Sequence, residues 1–208
     1  MKKRVNPIIN CELENGRFSL LEEDKVYALR FPEQTCSLDL KGMAFTECVF
    51  DHVSFDEVVG LKSEFMDCIF DHCDLSNVIF SESNFRRCAF KQCRMTGADF
   101  SVSILQDVLF EACRGPYINL SFTKMKQCTL VDCDMHEGSF NELSMRDVEM
   151  DTCSFTESEW LHSDIKGTDF SSSKIEGIKA SQDSLKGIFV NTEQAVSLIG
   201  LLGVNVKM

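Results

Sequence analysis

The constraint that most narrows this 208-residue chain is a five-residue period. Every fifth residue from Leu40 to Ile175, at numbers divisible by five, is a large apolar side chain in 26 of 28 instances, the exceptions being Gly60 and Gly115. Thirteen of the seventeen phenylalanines fall in this register. Neither an α-helix, with its period of 3.6, nor a strand, with its period of 2, generates such spacing. Two residues earlier in each unit the side chain is small: Cys48, Cys68, Cys73, Cys88, Cys93, Cys113, Cys128, Cys133 and Cys153 fall there, beside Val53, Ser63, Val78, Ser83, Ala98, Thr123, Gly138 and Ser163. Two positions in five therefore point inward and three, mostly polar, point outward.

Cys73-Asp74-Leu75-Ser76-Asn77, Ala98-Asp99-Phe100-Ser101-Val102 and Thr168-Asp169-Phe170-Ser171-Ser172 resemble the unit of the pentapeptide-repeat family. The resemblance covers about two thirds of the chain and implies an all-β solenoid, a right-handed quadrilateral β-helix. Five residues make one side of a square and four sides one coil. The 28 units then make about seven coils stacked at roughly 4.8 Å, a rod of about 34 Å. No coil buries its apolar residues alone, so stability comes from stacked neighbours.

Outside this register the chain divides. Residues 1–37 are expected to form an N-terminal partial coil and cap: Cys11-Glu12-Leu13 and Gly16-Arg17-Phe18 look like units in another phase, and Leu21 to Gln34 does not fit. Residues 38–187 form the β-helix, and Gly115-Pro116 is a place where the coil could relax. In residues 188–208 a short helix opens at Thr192 with Thr192 or Asn191 as N-cap and stops at Gly203. Its apolar residues exceed one contact face, so the helix either plugs its own coil or meets a partner. In gyrase-protecting relatives such a module joins two monomers. The resemblance thus implies a homodimer through Leu198, Ile199, Leu201 and Leu202.

Composition excludes several function classes. The net charge of −12 disfavours direct binding of nucleic acid or anionic membrane. The basic start, Met-Lys-Lys-Arg, lacks the apolar stretch of a secretory signal, which points to the cytoplasm. There the eleven cysteines read as reduced core residues, even the ladder from Cys73 to Cys153 at twenty-residue spacing, because no CxxC accompanies it. His52 and His72 are also twenty apart and stack on one face, but a metal would need further ligands. No catalytic triad, phosphate loop or HExxH is visible, so neither enzyme activity nor a cofactor is expected.

The acidic residues carry the functional reading. Between Val131 and Trp160 nine of them, Asp132, Asp134, Glu137, Glu142, Asp147, Glu149, Asp151, Glu157 and Glu159, face only Arg146. The square rule also aligns Asp51, Asp71, Glu111 and Asp151 in an outward column interrupted by Lys91. Charges repeated along a rod resemble the phosphates of duplex DNA and attract a basic groove; the alternative is that they only keep the chain soluble. Arg86, Arg87, Lys91 and Arg94 form an opposing basic cluster. Val49, Ile69, Ala89 and Leu109 form an apolar column, a contact strip or the wall under the N-terminal segment. The resemblance to Qnr-type and MfpA-type proteins implies a DNA mimic that binds DNA gyrase or topoisomerase IV and modulates its response to fluoroquinolones. The partner surface would comprise Asp51, Asp71, Glu111, Asp132, Asp134, Glu137, Asp147, Asp151 and Glu157, and charge reversal at Asp132, Asp134 and Asp151 would weaken binding and leave the fold intact. The other reading is a scaffold or immunity protein with a different protein partner.

Overall fold

The computed structural model describes residues 3–204, apart from the side chain of Leu202. The square coil is present. Two of its faces carry parallel strands. The first face stacks seven, Lys25–Tyr27, Ala44–Thr46, Glu64–Met66, Asn84–Arg86, Ile104–Gln106, Lys124–Lys126 and Ser144–Arg146. The second stacks eight, Glu14–Asn15, Leu29–Phe31, Val49–Asp51, Ile69–Asp71, Ala89–Lys91, Leu109–Glu111, Thr129–Val131 and Glu149–Asp151. On the third and fourth faces the chain turns more tightly, and single bridges such as Asp74↔Arg94 and Ile79↔Asp99 replace most of the strands. Partners on adjacent coils are twenty residues apart, as in Phe70↔Phe90 and Phe90↔Phe110.

The inward positions fill the axis. Phe50, Phe70, Phe90 and Phe110 form one stack with centroid spacings of 4.6, 4.6 and 5.0 Å. Rings from neighbouring faces meet them edge-on, as Phe100 meets Phe90 at 5.8 Å. Offset-stacked and edge-to-face contacts are the favoured geometries of aromatic pairs.

The small inward position has a second role. Its hydroxyl or thiol donates to the carbonyl at the large position 23 residues earlier, even where glycine occupies it: Ser83 Oγ to Gly60 O at 3.0 Å, Thr123 Oγ1 to Phe100 O at 2.8 Å, Cys88 Sγ to Phe65 O at 3.3 Å. A buried carbonyl thereby gains a partner, which favours Ser, Thr or Cys over alanine. All nine cysteines in this register are buried. Burial pushes the Cys128 thiol up to about 12, so it holds little nucleophilic thiolate near neutral pH.

Nearly every corner bends at the second residue after the large one, where φ is positive: 24 non-glycine residues among those described adopt it. At the corner after the third face the large residue's carbonyl accepts from the N–H three positions on, as in Val58 N to Phe55 O at 2.9 Å. Positive φ at the third residue is what a type II turn requires. The N–H just after the large residue has no place in the ladder, and the carboxylate or amide just before it accepts that N–H. Ser101 N donates to Asp99 Oδ1 at 2.9 Å and Ser121 N to Asn119 Oδ1 at 3.1 Å, the reason Asp and Asn recur there.

Pro116 fits for the same reason. It occupies the second position of the turn, which proline favours, and its missing N–H is one the ladder does not use. The bonds on either side persist, Gly115 N to Asp134 O at 2.7 Å and Gly97 N to Pro116 O at 2.9 Å. The relaxation expected at Gly115-Pro116 does not occur.

The N-terminal region departs further from expectation. Leu21 to Gln34 is not outside the pattern but forms most of a full coil, so the rod has about eight turns. Val26 pairs with Phe45 and Phe31 with Phe50, nineteen residues apart instead of twenty. The step from Cys36 to Leu40, both buried, is four residues where others are five, which shifts the phase without changing the geometry.

Residues 3–10 form a strap along the corner between the first and second faces. It runs against the direction in which coils are added: Gln127 Nε2 donates to Lys3 O at 3.2 Å, Val5 N to Asp107 Oδ1 at 3.0 Å, Ile8 N to Asp67 Oδ1 at 2.9 Å and Asn10 N to Glu47 Oε2 at 2.9 Å. The apolar column starts two residues past this corner, and Ala89, whose position faces outward, is only 2% exposed.

At the other end the helix Thr192–Ile199 closes the rod. Asn191 is its N-cap, in a reciprocal capping box with Gln194. The buried Gln194 amide also donates to Phe170 O at 2.9 Å and Ser173 O at 2.6 Å, satisfying carbonyls that have no further coil above them. Gly203, at φ 73°, ends the 3-10 turn Gly200–Leu202 that follows. Among the described residues no helix is long and apolar enough to cross a membrane.

Candidate functional site

The corners determine where charge is displayed. Asp132, Glu137, Glu142 and Asp147 occupy four successive corners at φ 52–55°, and Glu157 repeats the corner of Glu137 one coil on. The acidic stretch is therefore a ring around the rod and not a stripe on one face. Among the described residues Asp132, Glu137, Glu142, Asp147, Glu149, Asp151 and Glu157 make no ion pair. Glu137 accepts a hydrogen bond from Tyr117 Oη at 3.1 Å.

The column expected on the second face is less uniform. Asp51, Asp71 and Lys91 do stack in register, but Glu111 pairs with Val131 and Val131 with Asp151, so the column is broken twice. Its N-terminal members are also partly neutralised. Asp51 binds Arg30 and the His52 imidazole, and these contacts, His52 first, hold its carboxyl below the usual range. Asp71 contacts His72 Nδ1 at 2.9 Å. The two imidazoles stack at 4.8 Å, almost parallel. Among the described residues no group of three or more His, Cys, Asp or Glu is arranged to hold a metal.

Asp134 has a structural task. Its Oδ1 accepts from His136 N at 3.4 Å and lies 2.9 Å from His136 Nδ1. It holds a turn in the way Asp99 and Asn119 do, so reversing its charge would disturb the fold and not only a surface.

The four basic residues do not cluster. Arg86 lies on the first face, Arg87 at the strap corner bound to Asp67, Lys91 on the second face and Arg94 on the third, 3.7 Å from Asp74. The basic feature that does exist is on the first face, where Arg86, Lys124, Lys126 and Arg146 project from stacked strands. It interrupts the acidic ring. The column Arg86, Gln106, Lys126, Arg146 is visible in the sequence as a twenty-residue spacing, but only when outward positions are sorted by face.

Beyond the last coil, Leu185, Ile188, Val190, Ala195, Leu198 and Ile199 line an open apolar depression. Leu198 is half-buried against the core, Ile199 is half-buried and Leu201 is exposed. The side chain of Leu202 lies outside the described residues.

A family model described as the pentapeptide repeat region matches residues 63–127. That segment carries pentapeptide repeats, and the coils on either side of it continue the same five-residue geometry. No curated protein sequence matches the chain. Among solved structures, the chain is similar to a trypsin-treated form of QnrB1, a plasmid-mediated fluoroquinolone resistance protein, at 13% identity and a TM-score of 0.39, covering 88% of this chain and 99% of that one. It is also similar to HetL from the cyanobacterium Nostoc sp. strain PCC 7120, a pentapeptide repeat protein involved in heterocyst differentiation regulation. There the identity is 12% and the TM-score 0.43, over 80% of this chain and 89% of that one. These likenesses are of fold alone.

Proposed function

We propose that this pentapeptide-repeat rod is a non-enzymatic DNA mimic that binds a type II topoisomerase, DNA gyrase or topoisomerase IV, in the cytoplasm and alters its response to fluoroquinolones. The observation that supports this reading most is the ring of carboxylates that make no ion pair among the described residues, Asp132, Glu137, Asp147, Asp151 and Glu157, on a solenoid whose coils repeat at a fixed interval. Such a surface offers a basic DNA-binding groove regularly spaced negative charge, and its attraction weakens with salt.

The test is gyrase supercoiling with and without a fluoroquinolone. The parent protein is expected to restore supercoiling in the presence of drug, or to inhibit it without drug. The triple variant Asp132→Asn, Asp147→Asn, Asp151→Asn keeps the turn-holding Asp134, and at Asp132 and Asp147 the left-handed backbone tolerates asparagine. It should bind gyrase at least tenfold more weakly, about 1.4 kcal/mol, with an unchanged circular dichroism spectrum. No effect of the parent protein in either assay, or equal affinity of the triple variant, would reject the reading. The cationic first face favours a second one, a scaffold for another protein partner, which predicts that reversing Lys124, Lys126 and Arg146 has the larger effect on partner binding.

The depression beyond the last coil is the joint of a homodimer in this reading, with Ile199 and Leu201 at the contact. Sedimentation equilibrium should give twice the 23.6 kDa chain mass, falling to the single mass in Ile199→Asp, Leu201→Asp. A parent protein that sediments as a monomer would leave the helix as a plug only.

A further inference from the structure

The strap shows what kind of ligand its corner accepts. Asp67 and Asp107 are 5% and 4% exposed beneath it, so both carboxylates have been withdrawn from water. Asp67 accepts from Ile8 N and also takes Arg87 in a two-pronged pair at 2.7 and 2.6 Å. Asp107 accepts from Val5 N and from Gln106 Nε2. Glu47 accepts from Asn10 N, from the Cys11 thiol and from Tyr27 Oη, and the Asn10 N–H is the main cause holding its carboxyl below the usual range. While covered, these carboxylates lack water and need donors, so a segment that covers this corner is favoured when it brings N–H groups.

What it recognises is main chain. The donated N–H groups belong to residues 5, 8 and 10, while the side chains of Val5 and Ile8 are 45% and 42% exposed. Arg4, Pro7 and Ile9 are half-buried and add side-chain contact to these backbone bonds, with the basic Lys3 and Arg4 at the strap's leading end. The same corner column continues to Asp147, one coil beyond Gln127, where no described strap residue reaches it.

We infer that the corner formed by Glu47, Asp67, Asp107 and Asp147 is a docking site for an extended, basic-ended peptide strand of a partner protein, and that residues 3–10 occupy it intramolecularly until displaced. The strap supplies the template: three N–H groups at spacings of three and two residues, aimed at carboxylates on three of four successive coils, the remaining coil presenting Arg87, which binds Asp67. A partner strand longer than the strap would add Asp147. This site differs from the acidic ring proposed above in recognising backbone donors in a line along the axis, and it does not depend on the topoisomerase reading.

The test uses the full chain carrying Val5→Pro and Ile8→Pro, which removes two donated N–H groups while keeping the extended backbone that proline and its predecessor favour. The probe is a synthetic peptide with the sequence of residues 3–12, serine replacing Cys11. The proline variant is expected to bind this peptide one-to-one and at least tenfold more tightly than the parent protein. Adding Asp67→Asn and Asp107→Asn, or replacing the peptide's two basic residues by glutamate, should each weaken binding tenfold or more. A folded proline variant that binds no peptide, or binds it regardless of Asp67 and Asp107, overturns the inference. Hydrogen exchange of the parent protein provides an independent reading. The amides of Val5, Ile8 and Asn10 should exchange by local opening, well before those of Ala89 and Leu109; exchange of both sets only through global unfolding would equally overturn it.

Discussion

Replacing Phe90 by alanine is expected to lower the unfolding free energy by about 3–5 kcal/mol, the range for a buried phenylalanine truncated in a core. Its ring is fully buried, stacked between Phe70 and Phe110 and met edge-on by Phe100. Neighbours held by coils above and below cannot collapse far into the space left behind. In a solenoid each coil is stabilised by the next, so a defect at mid-rod weakens two interfaces at once. Phe122 is the control: the same residue type two positions past a large inward residue, at a corner, 52% exposed. Phe122→Ala should change stability by no more than about 0.5 kcal/mol. Urea titrations of the two variants decide the matter, and equal losses would contradict the assignment of phase to burial.

How far such phase can be read from the chain depends on what breaks it. From Leu40 to Ile175 the interior is legible because each face has five residues and the inward side chain is nearly always large. Val26, Phe31 and Cys36 obey the same spacing, but the four-residue step to Leu40 puts them in another register, so in the sequence a full coil looks like a cap. The ion pair of Arg30 with Asp51 is hidden with it, since it joins the displaced coil to the first regular one. Corners are illegible for another reason. Positive φ is usually marked by glycine, whereas 24 corners among the described residues carry other residues, whose strain is met by the ladder on both sides. The acidic residues at those corners are visible, but their arrangement as a ring follows only once corner and face positions are told apart. The strap leaves no periodic signal at all. Its hydrogen bonds run through its backbone, and its half-buried side chains, Arg4, Pro7 and Ile9, follow neither the five-residue period nor its residue types.

Gly60 and Gly115, the two gaps in the large position, are expected to respond to alanine with opposite signs. A Cβ built on Gly60 would lie 2.5 Å from Cδ1 and Cε1 of Phe80, the large residue one coil on, whose ring fills the space that a side chain at 60 would occupy. That ring is itself fully buried and packed edge-on against Phe55, Phe65 and Phe85, so it cannot swing away cheaply. Gly60→Ala should therefore cost about 1–3 kcal/mol, the range for overpacking. At Gly115 the added Cβ would meet Met95 at 3.4 Å and Ile118 at 3.6 Å, ordinary contact distances. Neither glycine has positive φ, so alanine at 115 brings no backbone strain and reduces the freedom of the unfolded chain, worth up to about 1 kcal/mol in favour of the fold. A double-mutant cycle isolates the cause. In a Phe80→Leu background Gly60→Ala should lose at least about 1 kcal/mol of its penalty, because the smaller side chain vacates the contested volume. A penalty at Gly60 that persists undiminished in that background would mean that the backbone, and not the Phe80 ring, sets the demand for glycine.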